Sequence, residues 1–260
     1  MGEDRVQGDD AAVCQPKYQR IAAALKDAIA SGEYGPGVRL PGENDLMSRY
    51  GVARMTARQA LGVLQTEGLA EARKGAGVFV REFRDGIRRR GIQRLGTGVW
   101  GEGRSIWAAD TEDRDPEVEL LGVTEEAPPE AVAGVLGLAA GVAACVRRRR
   151  FLLDGKPVML ATSYLDADLV AGTPVTEPDT GPGGIYARLA ELGVGPARFR
   201  EEVRSRMPSP GEAARLGLGA GTPVVLVCRT AFAADGRVVE VNEMVLDASA
   251  YVLEYAFDAP

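Results

Sequence analysis

The sequence predicts an α+β protein in two domains, a small N-terminal one of three helices and a β-hairpin and a larger C-terminal one of mixed helices and strands. Three observations lead there. Apolar residues recur at helical spacing in three short stretches before residue 70, and strand-like runs dominate afterwards. Glycine and proline cluster where one element must end, as in the run Ser31 to Gly37. Charge divides along the chain: residues 16–94 hold 15 Lys and Arg against 8 Asp and Glu, while the first fifteen residues are net −3 and residues 95–260 net −10. A basic segment joined to an acidic one is the asymmetry of a nucleic-acid-binding module carried by a second domain.

In chain order, residues 1–15 are acidic and pattern-free, and read as a disordered tail. Residues 16–82 form the first domain. Tyr18, Ile21, Ala22, Leu25, Ala28 and Ile29 define the first helix, and Gly42 to Tyr50 fits a second with Leu46, Met47 and Tyr50 as its apolar contacts. Gly51 stands where a left-handed turn residue belongs. The third helix runs from Arg54 to Glu67 and is expected to bury Met55, Ala57, Ala60, Leu61 and Leu64. Two strand-like runs around Lys74-Gly75-Ala76-Gly77 make a hairpin. The basic, Gly-interrupted stretch 83–95 reads as a linker, and residues 96–260 as the second domain. There, Asp154-Gly155 and Asp235-Gly236 each join two apolar runs, a hairpin signal repeated at similar spacing that hints at an internal duplication. Between the hairpins lie a helix from Gly184 to Leu192, a strand from Phe199 to Met207, and a helix opened by Ser209-Pro210-Gly211-Glu212, a capping box with Pro at the first helical position.

Composition removes several functions. The chain has 260 residues, no histidine and three widely spaced cysteines, Cys14, Cys145 and Cys228. Histidine-based acid–base catalysis, serine triads and histidine-ligated metals are excluded, and the thiols read as reduced and structural. No apolar run reaches the roughly 18 residues of a membrane span, and the acidic N-terminus has no signal-peptide core. The expectation is a cytoplasmic protein that is not an enzyme and carries no cofactor or metal.

The stretch from Arg39 to Val80 carries the most information. Arg54 and Arg58 lie four residues apart and share a helical face at the start of the third helix. A recognition helix presents such residues to base edges in the major groove, where the arginine fork bonds guanine O6 and N7 together. Thr56 stands near the same helix start, where hydroxyls and backbone N–H groups bind phosphate. Taken alone, the two arginines are also what a solvated helix face would show. The ordered set Leu40-Pro41-x-Glu43, Gly51-Val52, Arg54-x-Thr56-x-Arg58, Ala60-Leu61, Glu67-Gly68-Leu69 and Gly75-x-Gly77-x-Phe79-Val80 resembles the winged helix-turn-helix domain of the GntR family. That resemblance implies operator contacts from Arg54 and Arg58, a wing tip at Arg73, Lys74 and Gly75 near the minor groove, and phosphate contacts from Tyr18 and Arg39. Ala53 and Asn44 depart from the family, which often has Ser or Thr before the recognition helix and a basic residue in the second helix.

The C-terminal half resembles the UTRA domain, the chorismate-lyase-like effector module of the HutC branch of that family. The resemblance rests on Arg147 to Arg150, Asp154 to Val158, Ala161 to Tyr164, Gly184-Ile185-Tyr186-x-x-Leu189, Glu201, Gly221-Thr222-Pro223 and Gly236-Arg237-x-x-Glu240. It implies an effector on the sheet face held by Arg147, Arg149, Ser163, Tyr186 and Glu240. Phe151, Ala161 and Gly184 stand where sugar-phosphate-sensing relatives carry basic, Glu and Ser residues, so a less anionic effector is expected. Trp107 and Asp110 read as structural. Strand alternation separates Arg147 and Arg149 from Arg148 and Arg150, and one pair should meet carboxylates or solvent. Together these features predict a repressor, homodimeric, that binds double-stranded operator DNA and is released by a small-molecule effector. The alternatives are a DNA-binding dimer without a ligand and a lyase-fold enzyme carrying a DNA-binding head.

Overall fold

The computed structural model describes residues 15–82, 86–91, 93–103, 106–111, 114 and 116–256, so the predicted tail, 1–15, lies almost wholly outside the described residues. The chain divides into two compact units, one formed by residues 1–82 with 219–221 and the other by the rest.

In the first unit α1 (Lys17–Ala30), α2 (Glu43–Tyr50) and α3 (Arg54–Thr66) precede a hairpin of β1 (Ala70–Arg73) and β2 (Gly77–Val80). Ile21, Ala22 and Leu25 of α1 meet Leu46 of α2 and Ala57, Ala60, Leu61 and Leu64 of α3 in one core, closed by Ala70 and Val80 of the hairpin. Burying these side chains is the main stabilising contribution available to a unit of this size. Gly51 adopts φ 60° and ψ 49°, the left-handed turn that separates α2 from α3. Met55, expected in the core, is 60% exposed. The buried stripe of α3 runs through positions 57, 60, 61 and 64, and at about 100° per residue Met55 falls on the opposite side with Arg54 and Arg58.

The second unit begins earlier than the composition suggested. The stretch read as a linker contains β3 (Ile87–Arg90), whose Ile87 and Arg89 are buried while Arg88 and Arg90 face out. Charge made the stretch look like a solvated connection, but Arg89 is buried on a carboxylate of a distant strand. After α4 (Thr97–Trp100) and α5 (Ile106–Thr111) come β4 (Pro116–Glu126), α6 (Glu130–Leu136), β5 (Ala144–Leu153), β6 (Lys156–Asp166), α7 (Ala167–Val170) and α8 (Gly184–Glu191). Then follow β7 (Arg198–Arg206), α9 (Pro210–Leu216), β8 (Val224–Phe232), β9 (Val238–Asp247) and β10 (Tyr251–Glu254), the last pairing parallel with β3.

Six strands form one antiparallel sheet in the order β4-β5-β6-β9-β8-β7. Its halves mirror each other: strand, short helix and hairpin occur twice, joined where β6 pairs with β9. The duplication hinted at by the two Asp-Gly turns is therefore architectural. The Ser209 hydroxyl accepts from the Glu212 N–H at 3.3 Å and the Glu212 carboxylate accepts from the Ser209 N–H at 2.7 Å, so the capping box forms as read. On β5, Arg148 and Arg150 pair with Glu126 and Glu119 of β4, and Arg147 and Arg149 turn to the opposite face.

The β5–β6 turn requires positive φ at both Asp154 (52°) and Gly155 (71°). Gly155→Ala meets open space but takes on left-handed strain, so it should cost about 1 to 2 kcal/mol. Trp100 and Trp107, the two tryptophans of the chain, both lie in this unit. Their fluorescence during urea unfolding should show a lower midpoint with an unchanged slope.

Candidate functional site

In the first unit the candidate surface is the start of α3. Ala53 is extended (φ −68°, ψ 153°) and offers no side-chain cap, which leaves first-turn N–H groups open to an external acceptor such as a phosphate. Arg58 donates twice to Glu43, from Nε at 2.7 Å and Nη2 at 3.2 Å, and Arg54 Nη2 donates to Asn44 Oδ1 at 3.2 Å. The two guanidiniums are each about 60% exposed. The hydrogen bond from Arg58 holds the Glu43 carboxyl below the ordinary range. The first turn of α2 thus sets the direction of the α3 arginines and leaves some of their N–H donors free. Thr56 is half-buried beside them.

The hairpin carries the remaining cations. Arg73 lies over the Phe79 ring, 4.3 Å from its centroid, and bonds Glu71 at 2.8 Å. Lys74 and Gly75 form the exposed tip, with Gly75 at φ 74°. Arg39 bridges to Phe79 through its backbone and packs its guanidinium over Gly77, where a Cβ would come within 2.9 Å. Tyr18 of α1 packs partly on the core, its hydroxyl accepting from Gln19.

In the second unit a cavity of about 120 Å³ opens on the face of the sheet that carries Arg149. At roughly 30 Å³ for each water, that is room for about four waters. Facing residues on neighbouring strands place Arg147, Ser163, Asn242, Arg229 and Glu201 in one polar row across the sheet. Ala161 and Met244 lie in the next row beside Arg149 and form part of the floor. Trp107 and Asp110 of α5, Gly184 and Tyr186 at the start of α8, and Arg89 and Tyr251 of the small parallel sheet line the walls.

Glu201 is the centre of the ionic network. It accepts from Arg89 Nη2, Arg94 Nη2 and Arg229 Nε, each at 2.9 Å, and from the Tyr255 hydroxyl at 3.2 Å. Burial alone would raise its pKa, but Arg229, Arg89 and Arg94 more than offset that and hold it at about 2. Burial and the neighbouring guanidiniums lower Arg94 to about 10, so it stays charged at neutral pH. Asp110, 3.6 Å from Arg94, is pushed up by burial against the pull of that arginine. Burial, then the Glu240 charge, raise the Tyr186 phenol, which stays protonated.

Of the residues expected at an effector, Arg149, Tyr186 and Glu240 come together at this cavity. Ser163 lies behind Arg149 and accepts from its Nη2 at 2.5 Å. Arg147 is a correction: its guanidinium donates to the carbonyls of Val175, Glu177 and Pro178, and it does not line the cavity. Those carbonyls end a short turn that a sequence pattern does not place beside β5. Trp107 and Asp110, read as structural, stand on the wall, Trp107 edge-on to Phe151 with centroids 5.2 Å apart. Arg89, Arg94 and Arg229 were not singled out. A charged residue inside the apolar run of β8 was the signal for Arg229, and the buried alternation of β3 the signal for Arg89.

A unit of three helices and a wing with outward arginines, followed by a separate unit whose sheet bears a cavity lined by arginines and apolar side chains, defines a two-part DNA-binding regulator. Comparison with known proteins places it further. Residues 17–80 match the bacterial regulatory proteins of the gntR family and residues 111–252 match the UTRA domain. An HTH-type transcriptional regulator of Streptomyces coelicolor is 31% identical over 255 residues, covering 94% of both chains. The transcriptional repressor PhnF of Mycolicibacterium smegmatis is 30% identical over 224 residues, covering 86% of this chain and 85% of PhnF, and its crystal structure superposes with a TM-score of 0.57 over 92% of this chain and all of that one. A solved GntR-family regulator matches with a TM-score of 0.65 at 29% identity, covering 95% of this chain and 99% of its own. The chain belongs to the GntR family of transcriptional regulators, in the winged-helix-plus-UTRA architecture.

The network gives a pH prediction. Glu201 falls from an ordinary 4.5 to about 2 in the folded protein, so its contribution is complete above pH 4.5 and is lost as pH falls toward 2. Glu201→Gln should destabilise the second unit by about 3 to 5 kcal/mol at neutral pH, because three buried guanidiniums lose the negative charge they share. The gap in tryptophan-detected stability between wild type and variant should stay constant down to about pH 4.5 and narrow below it.

Proposed function

We propose that this regulator is a homodimeric repressor that binds a two-fold operator through residues 16–82 and is released when a small molecule enters the cavity of the second unit, which holds the UTRA domain. The observation that carries the reading is the cavity itself. It gathers Arg149, Tyr186 and Glu240 around one space, and the Nε atoms of Arg89, Arg94 and Arg149 and the Asn242 Oδ1 on its lining find no hydrogen-bond partner among the described residues. Buried polar atoms left open in this way are costly in a purely structural core, which favours a ligand-binding module over one that only dimerises. The related PhnF is itself called a repressor. Arg89 and Arg94, near the start of the second unit, both line the cavity, so a ligand bound there meets the first strand and turn of that unit. Release then follows from a difference in effector affinity between operator-bound and free states.

On the DNA side, Arg54 and Arg58 act as base-reading residues, Thr56, Tyr18 and Arg39 as phosphate contacts, and Arg73, Lys74 and Gly75 as the wing contact. Arg58→Ala should weaken specific operator binding by about 1 to 3 kcal/mol and relax the preference at one guanine per half-site. Gel shift and footprinting on the region upstream of its own gene measure both effects; an unchanged footprint would remove Arg58 from the interface. One recognition helix covers few base pairs, so two-fold symmetry is required to build a specific site. Light scattering of the full chain should give a dimer mass at micromolar concentration, and a monomer would overturn that part of the reading.

A further inference from the structure

The charges around the cavity do not balance. Four guanidiniums, those of Arg89, Arg94, Arg149 and Arg229, line it. They meet three carboxylates, Asp110 and Glu240 on the wall and Glu201 behind. Arg89, Arg94, Asp110 and Arg229 are each exposed by 6% or less at the side chain, so bulk water does not screen them well. Arginine does not lose its proton in proteins, so one positive charge is left over.

The open hydrogen-bonding atoms point the same way. The Nε atoms of Arg89, Arg94 and Arg149 and the indole Nε1 of Trp107 are buried donors without a partner among the described residues. The first turn of α8 also borders the cavity, and its N-cap, Gly183, supplies no side-chain cap. A helix start uncapped in this way favours an anion. Against these donors stand two acceptors, Asn242 Oδ1, buried and without a partner among the described residues, and the carboxylate of Glu240, which is only 1% exposed and lies beside the Tyr186 hydroxyl. The rest of the lining is apolar, chiefly Trp107, Phe151, Met159, Met244 and Tyr251.

Resting on the reading of this cavity as the effector site, we infer that the effector is a small monoanionic organic acid with an aromatic or compact apolar body and one neutral donor such as a hydroxyl. A single carboxylate matches the single unmatched cation. A phosphate ester carries about −1.5 to −2 at neutral pH and would replace an excess cation with an excess anion next to Glu240. An ammonium donor would satisfy Glu240 but bring a new positive charge, leaving the imbalance in place. The apolar body stacks on Trp107 and fills the space that Ala161 and Gly184 leave open.

A matched set of probes on one body tests this with the full chain at about pH 8.5, where a benzylphosphonate is mainly a dianion: 4-hydroxyphenylacetate, its neutral amide, 4-hydroxybenzylphosphonate, and phenylacetate, which lacks the hydroxyl. Calorimetry and thermal shift should rank the hydroxyaryl carboxylate first, with each of the other three weaker by about tenfold, the equivalent of roughly 1.4 kcal/mol. Arg149→Met should remove the preference for the carboxylate over the amide while leaving the thermal midpoint of the unliganded protein close to wild type or higher. Ala161→Trp, which fills the floor, should abolish binding of every probe. Equal or tighter binding of the amide or the phosphonate overturns the charge inference. If that binding disappears in Ala161→Trp, the cavity remains the effector site and only the ligand class is wrong. If binding persists in Ala161→Trp, the cavity is not the site and both readings fall. Absence of binding by all four probes at millimolar concentration also overturns the ligand class, and the operator-release assay with cell metabolites then decides the cavity separately.

Discussion

The second unit depends on one carboxylate. Glu201 sits near the edge of the sheet, on β7, yet it fixes Arg229 on the neighbouring strand and Arg89 and Arg94 from the stretch before α4. Burying three guanidiniums without an acceptor would cost several kcal/mol for each ion, far more than the packing of β3 against β10 returns. With Glu201 in place, β3 can lie against β10 and Tyr251 can pack beside Trp107. Those contacts in turn give the cavity one of its walls. The same pairing holds the Glu201 carboxyl at about 2, so it stays ionised under any physiological condition. The network is therefore permanent, and a ligand can alter its balance without dissolving it.

The first unit uses a carboxylate differently. Glu43 is only part-buried and bonds Arg58 across the gap between α2 and α3. An exposed pair of this kind adds little stability. Its effect is geometric: it lowers the conformational freedom of a long side chain, so at the proposed DNA interface less would be lost on binding. Glu43 belongs to the Leu-Pro-x-Glu run that the sequence pattern already marked, and its partner in space explains why an acid belongs at the start of a helix that precedes a basic one.

Local rules made most of the architecture legible. Helical spacing in α1, the left-handed glycine after α2, the capping box of α9 and the two Asp-Gly turns each depend on neighbours within a few residues, and each element forms where expected. Strand alternation also sorted the four arginines of β5 into an outward pair on Glu126 and Glu119 and an inward pair. Alternation could not tell the inward two apart. Arg147 is consumed by carbonyls of a turn some thirty residues away, whereas Arg149 reaches the cavity. The stretch 83–95 misled for the same reason. Its composition is that of a solvated connection, and Glu201, more than a hundred residues later, is what draws Arg89 and Arg94 inward. What the sequence hid was long-range pairing of like residues with unlike partners.

Both units share one device. In each, arginines outnumber the carboxylate that holds them: Arg54 and Arg58 stand around Glu43, and Arg89, Arg94 and Arg229 around Glu201. The shared acid fixes the cations in space without cancelling them, and the remainder is an oriented positive charge. Exposure decides what that charge can recognise. On α3 the guanidiniums are about 60% exposed, and a polyanion can approach them only if they stay in water, where screening by salt makes the attraction adjustable. Around Glu201 the same groups are sealed within a few per cent of full burial, so the charge acts through a low dielectric on whatever shares the cavity. A site of the first kind suits an extended phosphate backbone, and one of the second kind a single compact anion. On the proposed reading, one residue type, placed by one kind of contact, gives the chain two recognition surfaces that do not compete for the same ligand.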